Sequence, residues 1–327
     1  MRICIFGMGA VGGHLAAKLA NAGHEVSAIC RGGTLAAVQA NGITLRLTDR
    51  EIHAEIAASE SSKDLGTQDL VISTLKATAL PALAAGIGPL LGSDTPVIFA
   101  QNGIPWWYAQ GLSPDRPSPP KLERLDPDRA LASAIAPRRV IGGVIESSNE
   151  MVEPGVVVAG NPTRNNLLIG EPDDRQSERI VALRALLEEA GMGSAPVPDF
   201  RAALWGKLML NMSASILSYL TGQPLTVMRE DARIGELFLR VANEGIAVAS
   251  AHGIDVSGFK PEIFPARAVA HKPSVLQDYE RGRPVELDAL LLAPQAFARA
   301  AGLDTPNLDA LAALSVRRAI DKGLYEE

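Results

Sequence analysis

The chain has two cysteines and five histidines in 327 residues. Cys4 and Cys30 sit in apolar runs read as neighbouring strands, where a thiol behaves as a small, inert hydrophobe, and a disulfide is not expected in a reducing compartment. The histidines are scattered without metal-ligand spacing, so no metal centre is expected. Aromatics make up 4% and the net charge is −6, with no Lys/Arg run of the kind that a phosphate backbone demands; nucleic acid is excluded as a partner. No apolar run approaches the ~20 residues of a membrane span. The first strand begins at Arg2 without a charged and then apolar leader, so a cytoplasmic protein with no membrane partner is expected.

What is present is enough apolar material, 47% of residues, for two cores. Ile3–Phe6, Glu25–Cys30, Ile43–Leu47, Ile52–Ala58, Leu70–Thr74, Pro96–Ala100, Val140–Ile145, Val156–Val158 and Leu167–Ile169 read as strands. Helices are expected after Gly12, at Thr34–Asn41, Ala77–Leu91 and Ser177–Ala190, with a short last strand at Ala195–Val197. Strands alternating with helices predict a parallel sheet with right-handed crossovers. Residues 109–139, rich in proline and charge, read as a surface excursion. Beyond Asp199 the periodicity is helical throughout: Ala202–Tyr219, Ile234–His252, Ser274–Glu280, Glu286–Ala301 and Leu308–Lys322. The expected fold is α/β, an N-terminal Rossmann-type doubly wound sheet over residues 1–198 followed by an all-helical domain over 199–327. The apolar faces of these helices suit a core or a homodimer interface equally.

The densest signal is Gly7-Met8-Gly9-Ala10-Val11-Gly12, placed between the first strand and the first helix. In such a loop the first glycine permits the tight turn, the second lets the backbone approach a pyrophosphate, and the third lets helix and strand pack closely. The helix start adds unsatisfied amides and the positive end of its dipole. The second strand ends in Arg31, with no carboxylate to accept a ribose 2′-hydroxyl. A guanidinium there suits the 2′-phosphate of NADP. Ligands of parallel sheets lie at the carboxyl ends of the strands, which makes Lys76 and Asn102 candidate cofactor contacts. The alternatives are a solvated lysine and a plain Asn-Gly turn.

In the helical half, Lys207, Asn211 and Ser215 recur one turn apart among Leu208, Met209, Leu210 and Ile216. A desolvated lysine is a usable proton donor near neutral pH, and an asparagine one turn on can hold a substrate oxygen. The alternative is a lysine whose stem lies on the core while its head reaches water. Ser274 with Gln277-Asp278, and Gly282 through Asp288, form a second cluster. Glu286 there opens a helix, and its alternative role is to complement the helix dipole. Ile104-Pro105-Trp106-Trp107-Tyr108 reads as packing at the junction of the domains or as lining of the substrate cleft.

These landmarks, with Leu75-Lys76, Gln101-Asn102-Gly103, Glu153-Pro154-Gly155 and Trp205-Gly206-Lys207, together resemble the ketopantoate reductase family over nearly the whole chain. The resemblance implies NADPH-dependent reduction of a 2-oxo acid, 2-dehydropantoate to (R)-pantoate. It implies Lys207 as proton donor, Asn211 and Ser274 on the substrate, Glu286 supporting catalysis, and Lys76 and Asn102 on the cofactor. There are two departures from the pattern: Ser215 stands where the family usually has a second asparagine, and Leu291-Leu292 stand where it usually has a glycine, often preceded by asparagine. Another 2-oxo acid or ketone as substrate, and a non-catalytic NADP sensor, are the competing readings.

Overall fold

The computed structural model describes residues 1–160, 165–268 and 270–326. The chain divides into two compact units, Met1–Gln101 with Asp128–Phe200, and Asn102–Pro127 with Arg201–Glu327.

The first unit runs β1 (Arg2–Phe6), α1 (Ala10–Asn21), β2 (Glu25–Ile29), α2 (Gly32–Asn41), β3 (Ile43–Arg46), β4 (Glu51–Ala54), β5 (Ala57–Ser59), β6 (Leu70–Ser73), α3 (Leu80–Gly86) and β7 (Val97–Ala100). It resumes with α4 (Ala130–Ala134), β8 (Val140–Ser147), β9 (Asn149–Glu153), β10 (Val156–Ala159), β11 (Asn165–Gly170) and α5 (Glu178–Glu189). A seven-stranded sheet has the order β11-β8-β7-β6-β1-β2-β5. Its strands are parallel except for β11, which runs antiparallel to β8. The near-continuous apolar runs of β1, β6 and β7 are what a strand covered on both faces requires. Because β1 lies between β2 and β6, the crossovers reverse direction at its carboxyl end. That is where open α/β sheets bind ligands.

A second sheet, β4-β3-β10-β9, was not expected. The run 52–58, read as one strand, is two strands in two different sheets. β9 carries no apolar alternation and is mostly exposed, so its sequence holds little signal. This sheet packs on α1. The approach is close: a Cβ on Gly13 would lie 2.8 Å from Val157 Cγ2 and 3.1 Å from Ile43 Cδ1. Every residue from Gly12 to Leu19 is therefore buried. Two polar groups buried with it find partners: Lys18 Nζ donates to the Gly191 carbonyl at 2.7 Å, and His14 Nδ1 pairs with the Asn149 amide.

Other differences also have local causes. The helix expected over 77–91 shrinks to α3, flanked by 3₁₀ turns at 77–79 and 88–90, where Pro81 and Pro89 each remove a backbone donor. The strand expected at 195–197 does not form. Pro196 and Pro198 lack the amides a ladder needs, and only Gly193 bridges to Asn166. The excursion at 109–139 is shared between the units: 102–127 belongs to the second and 128–139 to the first. Tyr108 explains the first assignment, since it packs edge-on against Phe297 and accepts a hydrogen bond from Trp205 Nε1 at 2.8 Å.

The second unit contains α6 (Phe200–Leu210), α7 (Ile216–Thr221), α8 (Val227–Glu230), α9 (Ala232–Ala251), α10 (Phe264–Arg267), α11 (Ser274–Glu280), α12 (Ala293–Ala300) and α13 (Pro306–Asp321). Wide π turns at Asn211–Ser215 and Asp288–Leu292 interrupt two of the expected helices. Among the described residues, no helix is long and apolar enough to cross a membrane.

Candidate active site

In the first unit the glycine loop follows β1. Gly7 has φ +107°, a region costly for any side chain, and a Cβ there would lie 2.8 Å from Leu75 Cδ2. A Cβ on Gly12 would stand 2.0 Å from the Gly7 carbonyl and 2.7 Å from Thr74 Oγ1. Thr74 Oγ1 donates to that same carbonyl at 2.5 Å, tying the end of β6 to the loop. Gly9 is different. It is the residue before α1, with extended backbone, and a Cβ there would meet nothing within 4 Å. No side chain caps α1, and no carboxylate lies in its first turn. The loop is thus a cradle open at Gly9 and closed at Gly7 and Gly12, with the helix dipole facing the opening, and it fits a dinucleotide pyrophosphate. Met8 is buried in the core, while Ala10 and Val11 are half-exposed.

Arg31 is exposed at the end of β2 and forms the N-cap of α2. The sequence places no carboxylate at this tip, but the fold supplies one: Glu60 Oε1 accepts from the Gly32 amide at 3.3 Å. Glu60 follows β5, which pairs in parallel with β2, so the two strands end side by side. Dividing the run 52–58 into its two strands is the reading that would have found it. Lys76 is half-exposed just after β6, and Gln101 Nε2 donates to the Leu75 carbonyl at 3.4 Å.

The remaining candidates lie in the second unit. Lys207, Asn211 and Ser215 form a half-exposed stripe, while Leu208, Met209, Met212, Ala214 and Ile216 are buried. Lys207 is thus partly solvated. The π turn at 211–215 changes the phase of the helix, and π turns of this kind recur at functional sites. Ser213 Oγ bonds back to the Met209 carbonyl inside it. Ser215 Oγ lies 3.5 Å from Asn211 Oδ1, so the two remain neighbours. Ser274 is the exposed first residue of α11, which packs against this turn. Glu286 is 7% exposed, two residues before the start of the second wide turn, and the two π turns pack on each other. Leu291 fills the core and Leu292 is half-exposed. Asn102 opens the second unit, half-exposed, followed by Gly103 at φ +79°.

A doubly wound sheet with an open glycine cradle at its switch point is the architecture of a dinucleotide-binding protein. Comparison with known proteins narrows the class. Residues 3–173 match ketopantoate reductase PanE/ApbA and residues 199–318 match its C-terminal part. A 2-dehydropantoate 2-reductase from Mesorhizobium japonicum is 39% identical over 99% of this chain and 100% of its own length. The structure of 2-dehydropantoate 2-reductase from Geobacter metallireducens is 27% identical with TM-score 0.82, covering 97% of this chain and 99% of that one. D-mandelate dehydrogenase with NADH and anilino(oxo)acetate shares the fold at 20% identity, with TM-score 0.84 over 99% and 100% of the two chains. The chain belongs to the ketopantoate reductase family. It is an NAD(P)-dependent oxidoreductase acting on CH–OH groups.

Proposed function

We propose that the chain uses NADPH to reduce a 2-oxo acid, with 2-dehydropantoate to (R)-pantoate as the first candidate. The observation that carries this reading is the glycine cradle, open only at Gly9, in a chain 39% identical to a 2-dehydropantoate 2-reductase. The backbone of Gly7, Met8, Gly9, Ala10, Val11 and Gly12 holds the pyrophosphate, Arg31 grips the 2′-phosphate, and Lys76 and Asn102 contact the rest of the cofactor. When bound, the dinucleotide supplies the reducing equivalent.

Lys207 donates its Nζ proton to the carbonyl oxygen as negative charge develops there, a role worth ~10²–10⁴-fold in rate. Its partial exposure lets solvent return the proton. Asn211, with Ser215 beside it, and Ser274 hold the oxo acid, fixing the carbonyl for attack. Glu286, a carboxylate withdrawn from water, supports the proton donor and meets the cofactor. Reduction of a different 2-oxo acid or ketone is the second reading, favoured by Ser215, whose shorter side chain leaves room where the family has a second asparagine. Steady-state NADPH oxidation with 2-dehydropantoate beside a panel of other 2-oxo acids tests both. A kcat/KM for 2-dehydropantoate at least tenfold above every other acid supports the first, and the reverse order overturns it.

A further inference from the structure

Glu286 is bracketed by parts of the chain remote in sequence. One residue before it, the Val285 amide donates to the Leu324 carbonyl at 3.3 Å. Two residues after it, Asp288 Oδ1 accepts from Tyr325 OH at 2.8 Å and from Arg124 Nε at 2.6 Å. Arg124 Nη2 also donates to Tyr325 OH and to the Glu326 carbonyl, both at 2.9 Å. Burial first, and then the Asp288 carboxylate, push the Tyr325 hydroxyl well above its ordinary pKa, so it stays protonated and donating.

The wide turn that begins at Asp288 holds a second strand of this arrangement. The Ala289 carbonyl accepts from the Ile104 amide at 2.9 Å. Gly103, beside Asn102, approaches so closely that a Cβ would lie 2.5 Å from that carbonyl. One turn of backbone therefore fixes both Glu286 and the Asn102 loop, and Arg124 with Tyr325 holds that turn by its first residue.

We propose that Arg124 and Tyr325 are positioning residues, which clamp Asp288 and so set Glu286 and Asn102 for catalysis. This rests on the roles given to those two residues under the proposed function. The role given to both clamp residues is through Asp288, which each of them bonds directly. An exposed ion pair adds little to global stability, so the effect falls on geometry: a displacement near 1 Å at a reacting site costs up to ~10²-fold in rate.

The test compares Tyr325→Phe, Arg124→Gln and Arg124→Lys with wild type, with Arg46→Gln as a control. Arg46, whose side chain is as exposed as that of Arg124, pairs with Glu51 in the first unit. Expected are a fall in kcat of about tenfold for Tyr325→Phe and Arg124→Gln, KM for the oxo acid, whose contacts are assigned to Asn211 and Ser274, within about twofold, and partial recovery in Arg124→Lys. Amide exchange at Ile104 and Leu290 in the enzyme without substrate should quicken by about tenfold, with the melting temperature nearly unchanged. Wild-type kcat together with wild-type exchange in Tyr325→Phe and Arg124→Gln overturns the clamp. So does a loss of melting temperature with no change in kcat, which marks a merely structural tie. If wild type reduces no oxo acid or ketone, the proposed function fails, and the exchange rates alone then decide the clamp.

Discussion

Gly9 and Gly12 belong to one motif, yet alanine at each should have opposite consequences. At Gly12 the added methyl meets the Gly7 carbonyl at 2.0 Å, and that carbonyl is held by Thr74, so it cannot swing aside. Overpacking a well-packed site costs ~1–3 kcal/mol, and a backbone obstacle places Gly12→Ala at the top of that range. At ~2–4 °C per kcal/mol for a domain of this size, the melting temperature of the first unit should fall by roughly 6–12 °C. At Gly9 the backbone is extended at φ −84° and the methyl meets nothing, so Gly9→Ala is neutral or stabilising by up to ~1 kcal/mol through the unfolded state. The methyl instead occupies the opening of the cradle. Dinucleotide affinity should therefore drop at least tenfold, ~1.4 kcal/mol or more. Thermal melts of the full chain and fluorescence titration with NADPH read both quantities. Unaltered NADPH affinity in Gly9→Ala, or an unaltered melt in Gly12→Ala, refutes the assignment of the loop.

Further outcomes follow from single groups. Lys207→Ala should lower kcat by ~10²-fold or more while NADPH titrates as in wild type; retention of most of kcat removes Lys207 as the proton donor. Arg31→Asp should shift the ratio of NADH to NADPH affinity towards NADH. Glu60→Gln should shift it towards NADPH, because it removes an anion beside the 2′-phosphate site, and an unchanged ratio in both excludes this corner from cofactor selection. Burial, and then the nearby Lys18 cation, push the His14 pKa from 6.5 down to about 4. The unfolded chain thus binds a proton that the folded chain refuses, and stability is full above pH 6.5, falls as pH drops towards 4, and levels below it. At ~1.4 kcal/mol per unit this amounts to roughly 3 kcal/mol, measurable by urea unfolding across that range. His14→Gln should lack this slope; a slope equal to wild type would refute the assignment.

The run Ile3–Phe6 into Gly7–Gly12 was readable because every part of it is local: strand period, turn conformation and helix start are properties of adjacent residues. The same holds for α5, with Ser177 accepting from the Ile180 amide at one end and Gly191 at φ +74° at the other. The spacing of Lys207, Asn211 and Ser215 also placed them on one face, though it gave no sign of the π turn, which arises where a helix accommodates its neighbours. β9, the division of 52–58 between two sheets, and the burial of α1 on nearly every side were not readable. Periodicity tells which residues seek cover and is silent on what covers them.

From the order of its own residues, then, the chain determines a glycine cradle between strand and helix, an α/β half and a helical half, and a lysine-asparagine face on one of its helices. Tertiary structure alone decided that Glu60 stands beside Arg31, that 102–127 joins the helical unit, and that Arg124 and Tyr325 meet at Asp288. Gly32 with Glu60, Arg124 with Asp288 and Tyr325 with Asp288 are 28, 164 and 37 residues apart, and contacts over such separations depend on how separate elements pack. Hydrogen-bond geometry is read in space, and no local pattern in the sequence encodes it.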